Sequence, residues 1–72
     1  LEAFRERILT LESQFVEASL EDKIFVASVL RQFYPLWLGE VRDYYASSQP
    51  AQEEQQRVIK SLRRIKEAIA DN

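Results

Sequence analysis

The stretch from Leu20 to Ser47, LEDKIFVASVLRQFYPLWLGEVRDYYAS, constrains this chain more than any other. It gathers the only Trp, all three Tyr, two of the four Phe and the only Gly. Placed on a helical wheel, its large apolar side chains fill an arc of roughly 220°, wider than the stripe a surface helix shows to one neighbour. A helix of that kind is unstable alone in water and must be the middle of something. The remaining stripe holds Arg31, Arg42, Pro35, Ser28, Gly39 and Gln32. Pro35 lacks an N–H and crowds the carbonyl four residues back, and its place on the polar side predicts a helix kinked there, bent around its core, rather than two separate helices.

The flanking segments supply the cover. Leu1, Phe4, Ile8, Leu11, Phe15 and Ala18 recur at steps of three and four, with Leu9 and Val16 widening the stripe on one side, so a first amphipathic helix is expected over residues 1–18. Glu2, Glu6, Arg7, Ser13, Gln14 and Glu17 form its solvated face. Ser19 followed by Asp22 three residues on reads as an N-cap for a second helix over 20–47, and Glu21 adds negative charge at its positive end. The turn between the two is therefore very short. Ser47 to Pro50 reads as the one clear loop, with Pro50 in the first turn of a third helix over 50–71, where its missing N–H costs nothing. That helix carries Ala51, Val58, Leu62, Ile65 and Ile69 on a narrow seam with Ile59 beside it, the pattern of a covering helix. The expected fold is all-α, a single domain in which the first and third helices pack on a longer, kinked second one as a helical bundle.

Length then decides what else is needed. At 72 residues one core yields about 3–5 kcal/mol of net stability. The absence of Cys and His removes disulfides and the usual zinc and transition-metal ligands, so no cofactor is expected and association with another chain is the remaining aid. Within the arc of the second helix, Val26, Leu30, Phe33 and Trp37 are expected to be core. Phe25, Val29 and Leu36 are left along one edge without intrachain cover, which makes them the candidate partner-binding residues, with a homodimer as the expected partnership. The hydroxyls of Tyr34, Tyr44 and Tyr45 place those rings at the rim of the core.

Two other sites compete with this reading. Half of the ten basic residues, Arg57, Lys60, Arg63, Arg64 and Lys66, fall within ten positions of the third helix, and Arg57, Lys60, Arg63 and Arg64 make a candidate face for a nucleic acid or an anionic ligand. A solvated surface explains them as well, because Glu67 falls among them, no aromatic residue is there to stack on a base, and the net charge is −2. Residues 1–22 hold six carboxylates (Glu2, Glu6, Glu12, Glu17, Glu21, Asp22) against Arg5 and Arg7, which favours the first helix beside the third.

For catalysis the inventory is thin, with no His, no Cys and no Gly-rich phosphate loop, and an enzyme is not expected. The run Leu1 to Phe15, with Arg5-Glu6-Arg7-Ile8 followed by Leu11-Glu12, resembles the opening of the first helix in the all-helical chorismate mutases. The resemblance implies a substrate carboxylate bound by the arginine at that position. The later cationic residues of that family have no counterpart in the apolar second helix, so the sequence departs from the pattern where a dianion would be held. The uncharged run Ile24 to Leu30 is far short of a membrane span, as is every other in the chain, and no signal peptide is visible. A docking or dimerisation module, cytoplasmic and cut from a larger protein, is the reading the sequence supports.

Overall fold

The computed structural model describes residues 1–46 and 48–70 and contains three helices, α1 (Glu2–Glu17), α2 (Leu20–Tyr45) and α3 (Gln49–Ala70), packed as a bundle of 39 × 21 × 16 Å. Among the described residues there is no strand. α1 and α3 each lie along α2, and nowhere do their own Cα atoms come within 8 Å of each other, so the two covering helices meet through side chains only.

Each boundary has a local cause. α1 ends at Ala18, whose extended backbone (φ −77°, ψ 156°) turns the chain away. Ser19 caps α2 as expected, its Oγ accepting from the Asp22 N–H at 3.3 Å. The same turn is closed from its other side: Lys23 Nζ donates to the Ala18 carbonyl at 2.7 Å and the Val16 carbonyl at 3.4 Å, putting a cation on the negative end of α1. α2 runs on unbroken through Pro35, whose exposed ring keeps the missing donor on the solvent side. It stops where Ala46 adopts a left-handed conformation (φ 52°, ψ 55°) and returns its N–H to the Arg42 carbonyl. The expected helix ends at 47 and 71 lie outside the described residues. α3 starts at Gln49, with Pro50 in its first turn.

The buried core consists of Ile8 and Phe15 from α1, Ala27, Leu30, Tyr34, Trp37 and Val41 from α2, and Ala51, Val58 and Ile65 from α3. Its centre on α2 is rotated from the one expected. Leu30 and Trp37 are fully buried, but Val26 and Phe33 are only half-buried, while Ala27 and Val41 go inside. Tyr34, expected at the rim, is 1% exposed; its hydroxyl finds its partners inside the bundle. Tyr44 is the ring left outside, packed edge-on to half-buried Tyr45 at 4.9 Å between centroids.

Candidate functional site

α2 presents two very different sides. On the side between α1 and α3, six polar groups close on one another across all three helices. Arg57 on α3 donates from Nε and Nη2 to both oxygens of Glu54 (2.9 and 2.8 Å) and from Nη1 to both oxygens of Glu12 on α1 (2.9 and 3.0 Å). Trp37 Nε1 donates to Glu54 at 2.7 Å. The Tyr34 hydroxyl donates to Glu12 and lies 2.7 Å from Ser61 Oγ. This network joins α1 to α3 over the top of two buried aromatic rings.

The environment sets its charge states. Burial alone would raise Glu54, but the hydrogen bonds from Arg57 and Trp37 outweigh it and hold the carboxyl below its ordinary value. Arg57 is held more firmly protonated than usual, chiefly by its bonds to Glu54 and despite its burial, with Glu12 adding to the effect. Burial, reinforced by the bond to Glu12, pushes the Tyr34 hydroxyl far above its ordinary value. Tyr34 keeps its proton, and Arg57 sets its guanidinium on two carboxylates, a geometry that braces α1 against α3.

This decides where the basic residues of α3 stand. Arg57, Lys60 and Arg64 line one groove of about 220 Å³ between α1 and α3, floored by Phe15, Leu30 and Ile65, with Arg57 turned toward the carboxylates at its edge. Arg63 is exposed, about 60° round the helix from Lys60 and about 100° from Arg64, and lines no part of that groove. Of the four residues expected to form an anionic-ligand face, three thus share a groove, Arg57 with its donors on carboxylates, and Arg63 stands beside them on the open surface. Arg5, the residue of the chorismate mutase resemblance, lies with its guanidinium 5.9 Å from the Trp37 ring centroid, on the α1 side of the same network.

On the other side of α2 the apolar edge is where the sequence places it. Phe25 is 61% and Leu36 62% exposed, and Val29 between them is half-buried. Half-buried Val26 and Phe33 border the edge toward α1, where Phe33 meets Phe4 edge-on at 6.2 Å. Gly39, one turn beyond Leu36, has nothing within 4 Å of where a Cβ would stand. Val16, expected to widen the buried stripe of α1, is 73% exposed and forms one lip of the α1–α3 groove. No helix among the described residues is long and apolar enough to cross a membrane.

No protein family matches this chain, and no characterised protein or solved structure shows significant similarity to it. The functional reading therefore rests on the geometry of the molecule itself.

Proposed function

We propose that the domain is a protein–protein interaction module without catalytic activity, and that it associates with a second copy of itself through Phe25, Val29 and Leu36 on α2. One observation carries the reading: two large apolar side chains, each more than 60% exposed, stand on a single edge of the most apolar helix with Val29 between them. Leaving such side chains in water forgoes about 1.5–3 kcal/mol each, a large share of what a domain of this size has in hand. A second copy is the occupant supported by charge as well as by shape. Along the flank of this edge nearer α3, Glu21 stands near one end and Arg42 near the other, so the surface is complementary to itself when reversed.

The rival reading, an anionic ligand on α3, has thinner support, because Arg57 is engaged by two carboxylates and one of them, Glu12, lines the same groove as Lys60 and Arg64. Sedimentation equilibrium at micromolar concentration tests the proposal. The chain should sediment as a dimer, Val29→Asp as a folded monomer, and Gln14→Asp, altered on the exposed face of α1, as the unchanged dimer. A wild-type chain that stays monomeric would refute self-association. Strongly salt-dependent retention on heparin by that monomer would turn attention to α3.

A further inference from the structure

The exposed edge of α2 has a more specific pattern than three apolar residues. Asp22, Phe25, Val29, Gln32, Leu36, Gly39 and Asp43 follow one another at alternating steps of three and four, the spacing of a coiled-coil seam. Its apolar part is short and its ends are acidic. Beside it run two flanks: Glu21, Ser28, Pro35 and Arg42 toward α3, and Val26, Phe33 and Glu40 toward α1. The seam and its flanks define what a second helix of the same sequence meets in each orientation.

Resting on the self-association proposed above, we infer that two copies pair antiparallel along α2, in the register that sets Phe25 of each against the partner's Leu36. That one choice fixes the rest. Val29 meets the partner's Gln32, and Asp22 falls over the partner's Gly39, where no atom beyond the local helix backbone and Gly39's chain neighbours lies within 4 Å of a would-be Cβ and a carboxylate at the end of the seam stays open to water. Antiparallel seams bring like flanks together. Glu21 therefore lies by the partner's Arg42, twice over by symmetry, and on the other flank the half-buried Val26 lies by the partner's Phe33. Phe25 and Leu36 meet across the pair and Glu21 meets Arg42 at both ends, while Asp22 and the partner's Glu40 are like charges that stay in water at the rim.

The parallel arrangement fails on the same residues. It stacks Asp22 on the partner's Asp22 and Asp43 on the partner's Asp43 within the seam, and gives neither Glu21 nor Arg42 an opposite charge. Sliding the antiparallel pair by one heptad sets Phe25 against the partner's Asp43 or Leu36 against the partner's Ala18. Only the stated register fills both large apolar positions.

The chain contains no Cys, so engineered thiols report on orientation without background. Gly39→Cys and Asp22→Cys leave the apolar seam intact, and the two positions lie about 26 Å apart along one helix. A disulfide needs Cα atoms closer than about 7 Å. Mild oxidation of the two variants mixed should give the mixed covalent dimer, with little from either alone. Efficient cross-linking of Gly39→Cys with itself would mean a parallel dimer and overturn the inference while leaving self-association intact. Absence of any cross-link in a chain that sediments as a dimer would place the interface elsewhere and overturn it as well, and a monomer in sedimentation would remove its foundation. Charge reversal gives an independent reading. Glu21→Arg and Arg42→Glu should each raise the dimer Kd roughly tenfold at low salt, by replacing two attractive pairs with two repulsive ones. The double variant should restore it; failure of that rescue counts against the pairing.

Discussion

The two sides of α2 solve opposite problems with the same backbone. Toward α1 and α3, Trp37 is wholly buried, yet its N–H has an acceptor in Glu54, and Tyr34 beside it places its hydroxyl between Glu12 and Ser61. Away from them, Phe25 and Leu36 stand more than 60% exposed, with no polar atom to satisfy and most of their apolar surface in solvent. Burial of polar atoms is stabilising only when each has its partner, and exposure of apolar ones is tolerated only at a cost in stability. The inner side is thus complete within one chain. The outer side leaves apolar surface uncovered, and under the proposed self-association that contrast separates the residues that make the fold from those that use it.

The contrast breaks most visibly at Trp37. Trp37→Ala empties the centre of the core and frees Glu54 from a donor, an expected loss of about 3–5 kcal/mol that leaves the chain unfolded or nearly so by circular dichroism. Phe25→Ser on the outer edge should keep the helical signal of a folded monomer. Were the two to unfold the chain alike, the outer edge would be part of the core.

Next in size is Arg57→Ala, which leaves Glu12 and Glu54 partly buried and facing one another without their shared cation. A loss of about 1.5–3 kcal/mol in urea melts is expected, the range for hydrogen bonds to charged groups. Arg63→Ala with Arg64→Ala, both exposed on the same helix, should change stability by less than about 0.5 kcal/mol. Equal effects would mean that Arg57 is an ordinary surface residue.

The network also predicts opposite responses at the two ends of the pH scale. Glu54 is held below its ordinary 4.5, so its contribution is complete above that value and disappears as pH falls through the lowered one. Tyr34 is held above its ordinary 10.0, so its contribution is complete below pH 10 and is lost as pH climbs beyond it. Melts of Tyr34→Phe should show a shallower alkaline decline than the wild type. Identical slopes would remove Tyr34 from the account.

Much of this was legible in the sequence, and what was not has a physical reason. The three helices, the Ser19 cap and the exposed Phe25 and Leu36 follow from periodicity and local hydrogen bonding, which act over a few residues. The network depends on Glu12 meeting Arg57, partners separated by 45 positions, and no local rule reports such a meeting. A signal was nevertheless present. Glu12 sits four residues after Ile8 and three before Phe15, and Glu54 and Ser61 flank Val58 at the same spacings, so polar residues on both covering helices stand beside buried stripes with little access to solvent. Read together they announce one another. The rotation of the core toward Tyr34 follows, since a ring can go inside once its hydroxyl has partners there.

Small stabilising effects are expected from the backbone. Gly39 stands in mid-helix with open space around it, and Ala46 takes a left-handed conformation that favours glycine. Gly39→Ala and Ala46→Gly should each raise stability by about 0.5–1 kcal/mol in thermal melts. A loss at Gly39 would mean that its missing side chain is required at the interface.

The turn that Ser19 and Lys23 close from opposite sides bears on the order of events in time. Every bond in it spans fewer than eight positions, so α1 and α2 can lock together as soon as both have wound, with little loop entropy to overcome. The turn into α3 is as local, its backbone bonds spanning three or four positions, so loop entropy favours neither hairpin over the other. In native-state hydrogen exchange the amides of α2, on which both covering helices pack, should be the last to be released. Because the Phe25–Leu36 edge lies on that helix, the proposed docking surface should persist while either covering helix opens.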